Sequence, residues 1–287
     1  MSDSSDSDLL ARAAATPSRW RLEDIAFDAI RRSAIVDDAL AFRIIFLASF
    51  VETGADLYAS NLIEYFADDV EVSRWLRRSW QPEELQHGDA LRTYAMRVWP
   101  DVDWERRYDA FMGAYSRTCT VGELEPARAL ELAARCMVET GTSTFYAALR
   151  NYAREPVLKD LAGRIFADEV RHYKHFYHHF RRYQQRERHR RWRIGRTLLR
   201  RLRETRNSDG YYAYLHLEGG RAVDVAAVAA DYRAFTRSFA AFVRCHGPHE
   251  MSLRMGLKPL QLPAPLVTWL TLHSAPLYAL WTGFGAG

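Results

Sequence analysis

The sequence predicts an all-α protein, a four-helix bundle with additional N- and C-terminal helices. Long stretches repeat apolar residues at helical spacing, with no convincing strand alternation or Asn-Gly hairpin signal. A lone Glu followed by a Glu-x-x-His occurs twice, as Glu52 with Glu84 and His87, then Glu139 with Glu169 and His172. The copies are offset by 87 residues for the lone Glu and by 85 for each member of the pair, which implies two similar helix pairs.

Taken in order, Met1 to Asp8 is polar and acidic with no basic region before an apolar run, so no secretory signal is read there and residues 1–19 are expected to be a disordered tail. A short helix is predicted near Leu22 to Arg32, then the first long helix, Val36 to Ala67, whose apolar run Ile44 to Val51 leads into Glu52. The second is predicted over Val70 to Trp99, with Pro82 expected to kink or break it two residues before Glu84. Pro126 suits a first helical turn and opens the third helix, through Ala153; Pro156 opens the fourth, through Glu169 and His172 and beyond. Residues 20–206 are thus read as the bundle with a basic extension. Residues 207–287 are read as an appendage: the turn Asn207-Ser208-Asp209-Gly210, a helix over Val223 to His246, and a loop-rich remainder with no recognisable chemistry. Leu266 to Phe284 is apolar, but His273, Pro276 and Gly283 interrupt it, so a docked helix or loop is expected ahead of membrane contact.

The repeated pattern carries the chemistry. Residues three apart on a helix are neighbours, so each Glu-x-x-His can address one ion. A Glu from each of two helices plus a Glu-x-x-His from each of two others is a ligand set for two metal ions in a bundle core. The alternative, solvated salt-bridging carboxylates, fits badly with Glu52, because an unpartnered charge behind such an apolar run is expensive to bury. Four carboxylates balance two divalent ions while both His stay neutral. Oxygen and imidazole donors suit iron, with manganese second, and no cysteine stands at a ligand position.

Composition bounds the rest. At 287 residues and 48% apolar content the chain can bury a full core. Cys119, Cys136 and Cys245 lack metal or disulfide spacing and suit a reducing cytoplasm; Cys136 reads as a core filler. From Arg181 to Arg206 there are 12 Arg against Glu187 and Glu204, a local balance of +10 in a chain of +4. Such segregation favours an acidic partner, whether protein, nucleic acid or anionic membrane, or else is a solvated helix end. Trp192, Ile194, Leu198, Leu199 and Leu202 would let one face of it pack.

The stretch Trp80 to Leu91, reading WQPEELQHGDAL, resembles the EENRHGD signature of soluble acyl-acyl carrier protein desaturases, continuing through Tyr94 and Val102-Asp103. Asp168-Glu169-Val170-Arg171-His172 is similar to the DEKRH signature of the same family's second half. The resemblance covers roughly Val36 to Tyr183; Tyr173 and Lys174 depart from it, where the family carries an acidic residue. It implies a ferritin-like bundle in which reduced di-iron, held by Glu52, Glu84, His87, Glu139, Glu169 and His172, activates dioxygen to oxidise an acyl chain. It further implies an assisting hydroxyl at Thr142, a ligand-orienting Asp168, an acidic acyl carrier protein on the Arg181–Arg206 segment, a ferredoxin-like electron donor and a homodimer. Trp20 is a weaker candidate for an electron path. His175, His178 and His179 are expected beside the centre or at the surface rather than as further ligands to it. Ile165 stands where related N-oxygenases carry an additional His. A tRNA hydroxylase is a lesser alternative, and a ferritin-like iron or redox protein without an organic substrate is the alternative from another class.

Overall fold

The computed structural model describes residues 20–204, 209–218 and 225–273. The acidic tail and the apolar stretch after His273 lie outside the described residues. All described elements are helical, and the protein is a helical bundle. Its helices are α1 (Ala39–Tyr65), α2 (Val70–Trp75), α3 (Gln81–Val98), α4 (Trp104–Tyr115), α5 (Arg128–Tyr152), α6 (Pro156–Glu187), α7 (Arg191–Glu204), α8 (Asp209–Glu218), α9 (Val225–His246), α10 (His249–Leu257) and α11 (Ala264–Leu272). None of the described helices is long and apolar enough to cross a membrane.

Local chemistry sets the boundaries. Asp38 caps α1 by accepting from the Ala41 N–H at 2.9 Å, satisfying one of the donors a helix start leaves free. Glu155 caps α6 from the Leu158 N–H at 2.8 Å, and Pro156 takes the first position, where its missing N–H costs nothing. Buried Glu155 also accepts from Tyr94 Oη at 2.9 Å, which ties the start of α6 to α3.

Three expectations are corrected. Leu22 to Arg32 is not one helix; separate 3-10 turns cover Leu22–Asp24, Phe27–Ala29 and Arg32–Ala34. The second long helix does not stop at Pro82: a π segment, Leu76–Trp80, joins α2 to α3, and the Gln81 N–H reaches back to the Leu76 carbonyl. That wider turn ends just before Pro82, which has no N–H to return to the preceding turn. The chain after His246 is not loop-rich throughout, since α10 and α11 occupy it; two short helices flanked by Pro248, Pro259 and Pro263 leave too few turns to show a period.

In the packing, α1 lies on α3 and α5 on α6, α3 meets α6, α8 covers α1 and α4, and α7, α9 and α10 pack on α5. Two apolar clusters fill the bundle. One gathers Phe46, Phe50, Leu91, Tyr94, Tyr146, Leu161 and Ile165; the other gathers Leu62, Trp80, Leu132, Cys136, Phe176 and Phe180. Following α1 or α6 leads from the first cluster to the second, and following α5 leads the opposite way, as does the course from Trp80 into α3. The six candidate ligands fall where one cluster gives way to the other, so a polar layer lies between two dry ones.

Candidate metal centre

Each candidate ligand is at most 6% exposed: Glu52 from α1, Glu84 and His87 from α3, Glu139 from α5, Glu169 and His172 from α6. They form two overlapping groups, Glu52, Glu84, His87, Glu169 and Glu84, Glu139, Glu169, His172, within each of which the donor atoms lie within 4.8 Å of one another. Glu84 and Glu169 belong to both. The arrangement could hold two metal ions, with two shared carboxylates and one private carboxylate and one imidazole on each.

The donor atoms support this. His87 Nδ1 lies 3.2 Å from Glu169 Oε1, and His172 Nδ1 lies 3.1 Å from Glu84 Oε1. Both Nδ1 atoms and Glu169 Oε1 are buried without a well-formed hydrogen bond. Buried polar atoms are rarely left so, and an ion between imidazole lone pairs and carboxylates satisfies all of them. The opposite ring nitrogens are occupied: His87 Nε2 is 3.2 Å from Asp168 Oδ2, and His172 Nε2 is 2.7 Å from Glu83 Oε2. A proton on Nε2 directs the Nδ1 lone pair inward. Each supporting acid serves the other half's imidazole, since Glu83 precedes Glu84 on α3 and Asp168 precedes Glu169 on α6. Arg171 binds both acids, donating to Asp168 Oδ1 at 2.7 Å and Glu83 Oε2 at 2.6 Å.

Charge agrees with geometry. Buried Arg135 donates to Glu139 Oε1 at 2.9 Å. The four ligand carboxylates with Glu83 and Asp168 carry six negative charges against the guanidinium ions of Arg135 and Arg171. Four negative charges remain, which two divalent cations cancel. Without them the layer holds protons. Burial, then the charges of Glu84 and Glu169, pushes Glu52 well above the usual carboxylate range. Burial and the Glu169 charge do the same to Glu139, against the pull of Arg135. Burial works against protonated His87 and His172, yet their bonds with neighbouring carboxylates carry both well above the ordinary imidazole value. Burial also opposes ionised Glu169, and the two neighbouring imidazoles overcome that and hold it low.

Thr142 lies one turn beyond Glu139, and its Oγ1 donates to Glu169 Oε2 at 2.7 Å, so the hydroxyl addresses a shared ligand. Tyr146, which the sequence reading did not single out as a site residue, donates a short hydrogen bond from Oη to Glu52 Oε1. Its signal was its place one turn beyond Thr142 on an apolar helix. Trp20 Nε1 donates to Asp168 Oδ2 at 2.8 Å, and its ring is stacked parallel to that of His87, with centroids 6.1 Å apart. Ile165 is fully buried among apolar side chains.

Part of the Arg-rich segment turns inward. Arg182 pairs with Asp69 and Glu71, Arg200 with Glu125 and Glu204, and Arg201 with Glu131 and Glu204. Arg186, Arg188, Arg190, Arg191, Arg196 and Arg203 are exposed, alongside Trp192 and Leu199. Two surface cavities, about 430 and 360 Å³, are lined by residues of α1, α2, the π segment, the start of α3 and His175, and by none of the six candidate ligands. The chain matches no family model, no curated protein and no solved structure.

Proposed function

We propose that this protein is a ferritin-like di-iron oxidase that oxidises an acyl chain with dioxygen, in the manner of an acyl carrier protein desaturase. The sharing of Glu84 and Glu169 between two buried ligand groups carries the reading. All-oxygen-and-imidazole donors favour iron, with manganese second. Bound iron would supply the electrons and the Lewis acidity for dioxygen chemistry.

The chain's own residues have definable tasks. His87 and His172 present Nδ1 because Asp168 and Glu83 hold Nε2. Arg135 and Tyr146 hold the outer oxygens of Glu139 and Glu52. Thr142 can give a hydrogen bond to Glu169 or, by rotating, into the centre. The two apolar clusters keep bulk water from the layer, which strengthens every charge interaction within it. Trp20, in contact with Asp168, supports an electron path from a ferredoxin-like donor, and the exposed arginines of α7 support an acidic carrier protein.

The same two buried ligand groups also fit one second reading, a ferritin-like protein that oxidises iron without an organic substrate. Mass spectrometry of acyl carrier proteins incubated with reduced, iron-loaded protein and oxygen separates the readings. Loss of two hydrogens supports desaturation and a gained oxygen supports hydroxylation. Oxidation of iron with every acyl chain unchanged overturns the acyl oxidase and leaves the second reading.

A further inference from the structure

Past His172, α6 carries three more imidazoles that the buried centre does not use. His179 is fully buried; its Nε2 lies 2.9 Å from His175 Nε2, and its Nδ1 has no hydrogen-bond partner. His175 is held in place by stacking on Trp75, ring centroids 3.6 Å apart. Glu71 of α2 and His178 complete a group whose donor atoms, one each from Glu71, His178 and His179, lie within 4.8 Å of one another.

We propose that Glu71, His178 and His179 form a separate mononuclear site for a divalent first-row transition-metal ion. The bond between His175 and His179 supplies what a ligand imidazole needs. With the proton on His179 Nε2 given to His175, Nδ1 keeps its lone pair for the ion, the same arrangement by which Asp168 sets His87.

The charges around the group decide which ions it takes. Arg182 Nη1 donates to Glu71 Oε2 at 2.6 Å while its other nitrogen holds Asp69, and Arg74 and Arg78 line the adjoining 430 Å³ cavity. These cations oppose an ion held by charge alone, so magnesium and calcium are disfavoured. Ions that bond strongly to imidazole, such as cobalt, zinc or ferrous iron, are favoured. A carboxylate has two oxygens, so Glu71 can serve an ion and Arg182 together. Three protein ligands beside an open cavity leave a coordination position for water and make the ion exchangeable.

The test counts cobalt ions per chain by equilibrium dialysis and elemental analysis, comparing wild type with a Glu71→Gln/His178→Gln variant. Glu71 is exposed and His178 half-buried, so the fold is expected to survive, as circular dichroism would check. Wild type is expected to bind one more cobalt per chain than the variant, however many ions the buried centre holds, and a large excess of magnesium is expected not to displace it. Equal stoichiometry and affinity in the two proteins, or displacement by magnesium, would overturn the proposal. Because the readout is a difference, it stands or falls apart from the di-iron reading.

Discussion

Asp168 of α6 accepts from His87 of α3 at 3.2 Å, across the boundary between the two halves of the repeat. Glu83 returns the relationship to His172 at 2.7 Å, and Arg171 binds both acids. The two Glu-x-x-His turns therefore orient each other. Replacing Asp168 with Ala leaves every ligand in place but frees the His87 ring to turn and to change tautomer. Metal affinity is expected to fall ~10–100-fold, measured by competition with a chromophoric chelator; an affinity equal to wild type would show that Asp168 does not orient the ligand.

How much of this was readable in the chain follows from the range of each interaction. The six candidate ligands were legible because residue type and three-residue helical spacing are local. Glu83 was visible as half of an acidic doublet repeated at Asp168-Glu169, but the histidine each acid serves depends on how α3 meets α6. The inward pairing of Arg182, Arg200 and Arg201 was hidden for the same reason. Their partners Asp69, Glu71, Glu125 and Glu131 lie about 70 to 113 residues away, and a charge count over a window cannot see them. The π segment before α3 left only Pro82 as a trace, and a missing N–H does not say whether a helix bends, stops or widens.

Removing a shared ligand should differ from removing a private one. Glu139→Ala leaves Glu52, Glu84, His87 and Glu169 intact, so about half the metal of the buried centre is expected to remain, whereas Glu169→Ala takes a donor from both groups and is expected to lose nearly all of that centre's metal, both variants being compared in the Glu71→Gln/His178→Gln background. Elemental analysis after anaerobic reconstitution checks this. Equal metal content in the two variants would contradict the assignment of Glu169 as shared.

Without metal, protonation governs stability. Glu52, Glu139, His87 and His172 are all raised in the folded state. A raised group binds more protons folded than unfolded, so its contribution is complete below its ordinary value, 4.5 for the carboxylates and 6.5 for the imidazoles, and disappears as pH climbs through the folded value. Glu169 runs the other way, contributing above 4.5 and losing its contribution in acid. Thermal melts in chelator are therefore expected to show the contributions of Glu52 and Glu139 falling as pH rises above 4.5, joined by those of the two imidazoles above 6.5. Metal binding displaces these protons, so affinity should rise ~tenfold per pH unit for each proton released, as calorimetry in buffers of different ionisation enthalpy would report.

At Gly88, α1 and α3 approach closely. A Cβ there would lie 2.4 Å from Thr53 Oγ1 and 2.7 Å from the Thr53 backbone nitrogen. A side-chain hydroxyl can rotate away but the backbone of α1 cannot, so Gly88→Ala must push the helices apart. A loss of ~1–3 kcal/mol is expected in denaturant unfolding. Thr53 follows Glu52 and Gly88 follows His87, so the ion sharing those two donors is expected to bind more weakly as well.

Thr142 separates support of a ligand from support of the fold. Its hydroxyl donates to Glu169 Oε2 at 2.7 Å, and a hydrogen bond to a charged group contributes ~1.5–3 kcal/mol. Thr142→Val keeps the shape and removes the donor; Thr142→Ser keeps the donor. Because Thr142 is not a ligand, both variants are expected to hold a full metal complement. If the hydroxyl matters only for packing, Ser, which loses the methyl group, should be the weaker protein. If it matters as a donor to Glu169, Val should be the one with altered absorption of the cobalt-substituted centre and roughly tenfold lower oxidation rate, while Ser remains close to wild type. Identical spectra and rates in Val and wild type would confine Thr142 to packing.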